Sequence, residues 1–173
     1  MEMDIRSNTM QALIGKPAAE FTLADITAFV KDNGIGMVIV MYPAADGRLK
    51  TLIFVITNEE YVHSILTSGE RVDGSSLFPF IEAGSSDLYV IPRLRTAFID
   101  PFAELPTLCF LCSFFDKDGQ RLESSPEYTL YKAKKAFTEA TGMTYEAMGE
   151  LEYYVSAPEN DQPQMYPAVD QKG

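Results

Sequence analysis

The stretch Val72-Asp73-Gly74-Ser75-Ser76-Leu77-Phe78-Pro79-Phe80-Ile81-Glu82-Ala83-Gly84-Ser85-Ser86-Asp87-Leu88-Tyr89-Val90-Ile91-Pro92 decides how the rest of the chain is read. Residues 70–86 show no helical period and are rich in Gly, Ser and Phe. Taken alone, Asp73-Gly74 reads as a turn: Asp hydrogen-bonds its own backbone two residues on, and Gly bends freely. Long irregular segments in compact domains are functional or disordered. Leu77, Phe78, Phe80 and Ile81 set this one apart from a disordered linker, which lacks large apolar side chains. The segment then feeds an apolar run, residues 88–91, that reads as a strand.

Upstream, Thr22 is placed to cap a helix, with Asp25 three residues on. Ile26, Phe29 and Val30 share one side of that helix, and Gly34 stops it. Residues 36–42 and 49–56 are apolar, β-branched strands separated by Pro43-Ala44-Ala45-Asp46-Gly47, a hairpin. Asn58 caps a second helix over 59–66, ended by Ser68-Gly69. Residues 1–20 form an arm or a short helix. Downstream, 96–99 reads as a strand and 107–115 as a strongly apolar one, closed by Asp116-Lys117-Asp118-Gly119. Ser125-Pro126 opens a helix to about residue 141, with Pro at its first position and Leu130, Ala133, Phe137 and Ala140 facing inward. A further strand is expected within 144–155, and the tail from Ser156 reads as a loop. The pattern is α+β: a small mixed sheet with flanking helices. A boundary is expected near 100–106, followed by a strand, a helix and a strand, too few to close a domain.

Acidic residues outnumber basic ones, 25 to 14, for a net charge of −11. That excludes a nucleic-acid binder, which needs clustered Lys and Arg against the phosphate backbone. No apolar run reaches the roughly 18 to 20 residues that cross a bilayer. Met1-Glu2-Met3-Asp4-Ile5 lacks the basic and apolar regions of a secretory signal. The expected location is the cytoplasm. Cys109 and Cys112 invite a redox or zinc reading, but a strand sends residues three apart to opposite faces. Two small buried thiols is the alternative. His63, the single histidine, falls on a helix as a surface or packing residue.

Glu150 and Glu152 are two apart. On a strand they point the same way, with Cα atoms about 6 to 7 Å apart. Such carboxylates repel unless a cation lies between them, and hard oxygens suit Mg²⁺ or Mn²⁺. Both facing solvent on an edge strand is the other reading.

The 72–92 stretch resembles the signature of the glutamine synthetase family: an apolar or aromatic residue, D-G-S-S, a spacer, a small-acidic pair and an apolar strand. Here Val72 stands where Phe or Tyr is usual, Phe80 where many members have Trp, and Ser86-Asp87 supplies the pair. Thr96-Ala97-Phe98-Ile99-Asp100-Pro101-Phe102 resembles the T-A-x-x-D-P-F that follows in that family. Met148-Gly149-Glu150-Leu151-Glu152-Tyr153-Tyr154 is similar to G-P-E-x-E-F-F, with Gly149 in place of the common Pro. Asp46-Gly47-Arg48-Leu49-Lys50 resembles a shortened D-x-x-G-x-x-K hairpin. The resemblance covers about residues 22–155.

The resemblance implies a β-grasp-like domain over 21–105, preceded by an arm over 1–20 and followed over 106–173 by an incomplete start of a catalytic domain. It implies ATP-dependent joining of ammonia to glutamate through γ-glutamyl phosphate, in an assembly of stacked rings. Asp73 would bind ammonium and take its proton in a neighbouring subunit's active site, and Ser76 would help bind and hold the loop. Asp87 would support that loop, and Phe80 would pack at the subunit contact. Glu150 and Glu152 would each hold a divalent cation, Mg²⁺ or Mn²⁺. A single 173-residue chain is then expected to make no glutamine, to bind metal weakly, and to hold the Asp73 loop as the least ordered part of its domain. Two other readings stand beside this one: part of a ligase joining glutamate to another amine, and a non-catalytic assembly module.

Overall fold

The computed structural model describes residues 9–153, and the chain divides into two compact units, 1–136 and 137–173. In the first, α1 (Thr9–Ile14) leads through a short 3-10 turn to α2 (Leu23–Asp32). Thr22 caps α2 in a reciprocal box with Asp25, as its spacing predicts. Gly34, at φ +59°, ends the helix in a conformation that costs other residues more. Strands β1 (Met37–Pro43) and β2 (Leu49–Val55) form the expected hairpin. Asn58 caps α3 (Glu59–Thr67) by accepting from the Tyr61 amide at 2.8 Å. Then come β3 (Glu70–Asp73), α4 (Gly74–Leu77), β4 (Asp87–Pro92), β5 (Phe98–Ile99), β6 (Thr107–Phe115) and α5 (Pro126–Thr141).

The α+β expectation holds. The sheet order is β2-β1-β6-β4-β3, with β1 and β6 parallel and the other pairs antiparallel. Alternate residues of β1 and β6, among them Val38, Val40, Leu108 and Phe110, face the core with Ile26, Phe29 and Val30 of α2 and Val62, Ile65 and Leu66 of α3. Each such side chain contributes roughly 1.5–3 kcal/mol on leaving water. Met10 of α1 is fully buried in the same core, so α1 is anchored to it through that side chain.

Thr107–Phe115, where the sequence reading opens a second domain, is the middle strand of this sheet. It holds β1 on one edge and, on the other, β4 at residues 112–115 and β5 at 108–109. Between β4 and β5 the chain leaves the ladder over residues 93–97. Arg93 N donates to Leu111 O at 2.8 Å, and Leu111 N donates to Thr96 Oγ1 at 2.9 Å. One threonine hydroxyl therefore patches the split in the edge.

Three expectations are corrected. The 70–86 segment is not wholly irregular: β3 pairs with β4, and α4 follows at once. Leu130, Ala133, Phe137 and Ala140 do not face inward; all four are exposed, since periodicity marks an apolar side without supplying a partner for it. No strand forms over 144–153, since no described segment pairs with it; Tyr154 and Val155 lie outside the described residues.

In the second unit, the Phe137 and Tyr145 rings meet edge to face at 5.8 Å. Gly142, at φ +69°, ends α5. An exposed irregular segment follows to Tyr153.

Candidate functional site

Asp73 ends β3 and caps α4. Its Oδ1 accepts from the Ser75 amide at 3.0 Å and the Ser75 hydroxyl at 2.7 Å, and its Oδ2 accepts from the Ser76 hydroxyl at 2.7 Å. These donors, Ser75 first, then Ser76 and Ser86, hold the carboxyl well below the usual carboxylate range. The side chain is exposed. The result is a fixed carboxylate, anionic at any physiological pH and open to solvent.

Two contacts anchor the loop. Gly74 N donates to Ser86 O at 2.6 Å, and Gly74 is buried. A Cβ there would lie 2.7 Å from Ser86 O and 2.8 Å from Leu88 Cδ1, so the chain passes where only glycine fits. Four residues on, Phe78 is wholly buried, edge-on to Phe114 at 5.0 Å and near Tyr42 at 5.8 Å. Phe80 stacks on it at 5.3 Å and stays half exposed. Asp73 and Asp87 are cross-strand partners, a repulsive pairing. The serines take up one charge, and Arg71, 3.2 Å from Asp87, takes up the other.

The structure thus brings Asp73 and Ser76 together. Neither Ser75 nor Ser86 is assigned a role at Asp73 from sequence; the two-residue Asx offset points to Ser75, whereas Ser86, named only as part of the Ser86-Asp87 pair, reaches Asp73 by strand pairing. Glu150 and Glu152 lie in the second unit on the exposed irregular segment. Their hard oxygens suit Mg²⁺ or Mn²⁺, but two donors are few for an octahedral ion. No group of three metal-binding side chains forms among the described residues, so these residues alone do not make a metal site.

Cys109 and Cys112 are free and buried. Burial pushes Cys109 up to about 11 and Cys112 up to about 12, which makes both inert thiols. His63 is exposed on α3. No helix among the described residues is long and apolar enough to cross a membrane.

The family described as glutamine synthetase, beta-Grasp domain, matches residues 36–117. Glutamine synthetase of Frankia alni is 30% identical over 140 residues, spanning 78% of this chain and 29% of that protein. The 3-hydroxylaminophenol mutase of Cupriavidus pinatubonensis is 27% identical over 139 residues, 80% of this chain and 28% of the relative. The cryo-EM structure of Plasmodium falciparum glutamine synthetase superposes with a TM-score of 0.59 at 18% identity, covering 69% of this chain and 23% of that one. The chain therefore spans under a third of these relatives' length. Relatives of two different activities share this region, so the region by itself does not fix the reaction.

Proposed function

Residues 36–117 are the β-grasp domain of the glutamine synthetase family, and from that premise we propose that this chain is the amino-terminal part of a glutamine synthetase. The complete protein would join ammonia to glutamate, with ATP supplying the phosphoryl group of a γ-glutamyl phosphate. The observation that carries the reading is Asp73, an exposed carboxylate held in place by Ser75 and Ser76.

A carboxylate held strongly anionic is suited first to binding a cation such as ammonium. It is a weak proton acceptor while the serines donate to it, because each hydrogen bond favours the charged form. Deprotonation of ammonium at Asp73 therefore goes with reorientation of the Ser75 and Ser76 hydroxyls, which makes Ser76 a positioning residue. Asp73 lies on an open surface, whereas this chemistry requires a site shielded from water. Hence the further proposal of a homo-oligomeric ring in which a neighbouring subunit covers the loop. Glu150 and Glu152 would hold Mg²⁺ or Mn²⁺ together with donors from the rest of the complete protein, the metal neutralising phosphate charge when bound. The cytoplasm is the proposed location.

The test is glutamine formation by the complete protein from glutamate, ammonium and ATP. Asp73→Asn keeps the shape and removes the charge. It is expected to lower kcat/KM for ammonium by about 100-fold or more while leaving the KM for ATP unchanged. An unchanged ammonium dependence would sink the assignment of Asp73. A panel of primary amines separates ammonia from a bulkier acceptor. The likeness to the mutase supports a second reading, rearrangement of 3-hydroxylaminophenol, which would proceed in the same protein without ATP.

A further inference from the structure

Between the split edge of β6 and the start of α5 lies a cavity of about 500 Å³. Ile91, Ser113 and Phe115, on the sheet face turned away from the core, line it together with Leu130 and Tyr131 of α5. Four cations also line it, Arg93, Arg95, Arg121 and Lys134, against one carboxylate, Glu127. In a chain of net charge −11, this local excess of positive charge is a property of the fold rather than of composition.

Glu127 is already committed. Both its oxygens accept from Arg121 Nη2, at 3.0 and 3.1 Å, and the same nitrogen reaches Ser113 Oγ at 2.9 Å. Arg93, Arg95 and Lys134 make no ion pair among the described residues. The Nε groups of Arg93 and Arg121 are buried without an acceptor. A guanidinium cannot shed its charge by losing a proton, so lining cations without an ion-pair partner favour an oxyanion beside them. Burial pushes Arg93 below its ordinary value; Glu127 pulls it back, while Arg95 and Arg121 repel it. The geometry is set in advance. Thr96 pins the 93–97 connection, a 3-10 turn over Leu94–Thr96, to Leu111, and the Tyr128 and Tyr131 rings lie 4.8 and 5.0 Å from the Arg121 guanidinium carbon. The volume falls within the range of small-molecule pockets.

We propose that this cavity binds a small organic dianion, a phosphomonoester or dicarboxylate with a short apolar body, gripped by Arg93 and Arg95 with Arg121 behind them. Guanidinium forks match such oxyanions, and Leu130 and Tyr131 would cover the apolar part. The site shares no residue with the Asp73 loop, and its test reads binding alone.

Calorimetry on the 173-residue chain would use phenyl phosphate and phthalate as probes, with inorganic phosphate as the head group alone. Saturable binding of phenyl phosphate or phthalate, tighter than that of inorganic phosphate, is expected; the better probe identifies the head group. Arg93→Gln should weaken binding about tenfold, with the thermal midpoint of the free chain held or raised, since an unsatisfied buried donor is lost. Arg95 is exposed, so Arg95→Gln carries the same test where Arg93→Gln fails to fold. Arg48→Gln, in the β1–β2 turn, should change nothing. Absence of saturable binding by either organic probe, or binding that survives both Arg93→Gln and Arg95→Gln, overturns the proposal.

Discussion

Replacing Phe78 with alanine tests whether the Asp73 loop is a fixed part of the core. The ring is wholly buried, edge-on to Phe114 at 5.0 Å and beside Tyr42 at 5.8 Å. Truncating a buried Phe loses its transfer free energy and leaves a cavity, about 3–5 kcal/mol together. The two tilted aromatic contacts keep this site off the low end of that range, at about 4 kcal/mol. For a chain of this size, about 3 °C per kcal/mol converts that to a fall of about 12 °C in thermal midpoint. In urea, with a slope of about 2 kcal/mol/M, the midpoint moves down by about 2 M. Phe78→Leu, which keeps most of the volume, should cost under about 1.5 kcal/mol. Phe80→Ala is the internal control. That ring stacks on Phe78 yet is 50% exposed, and its loss should cost about 1 kcal/mol. Circular dichroism of the three variants through urea titrations measures the series. If Phe78→Ala costs no more than Phe80→Ala, the loop is not seated in the core and the account of how Asp73 is held fails.

Gly74→Ala puts a Cβ 2.7 Å from Ser86 O and 2.8 Å from Leu88 Cδ1; a loss of about 1–3 kcal/mol is expected, read by the same titration. Cys109 and Cys112, pushed up to about 11 and 12 from 9.0, should resist a thiol reagent at about pH 8 until the chain is denatured. The folded state keeps protons there that the unfolded chain releases, so stability falls as pH rises above 9.0 toward those values; a pH series of unfolding midpoints reads the sign. Arg121→Met leaves Glu127, whose side chain is 7% exposed, without its partner, and should cost about 3 kcal/mol. Arg121→Met with Glu127→Leu should recover most of that loss, and no recovery would refute the pairing.

Local chemistry was legible wherever the determining groups are close in sequence. The Thr22–Asp25 capping box, the Asn58 cap, the β1–β2 hairpin and the Asp73 turn each depend on groups within a few residues, and each appears where its pattern predicts. The 107–115 strand was also plain from its apolar run, but its place was not. An apolar strand reads the same at the start of a new domain and in the middle of a sheet, and only pairing with β1, β4 and β5 decides between them. The stripe on α5 failed in the opposite sense: periodicity states which side is apolar, not whether anything covers it.

The sequence by itself determined the Asp73-Gly74-Ser75-Ser76 turn, the caps, the hairpin and the α+β class, because hydrogen bonds between near neighbours and side-chain periodicity are local. Tertiary structure alone decided that Phe78 locks the loop, that Ser86 lies beside Asp73, and that Arg93, Arg95 and Arg121 line one cavity. Those contacts join residues brought near by strand pairing, and pairing depends on which surfaces bury one another across the whole fold rather than on any stretch of chain.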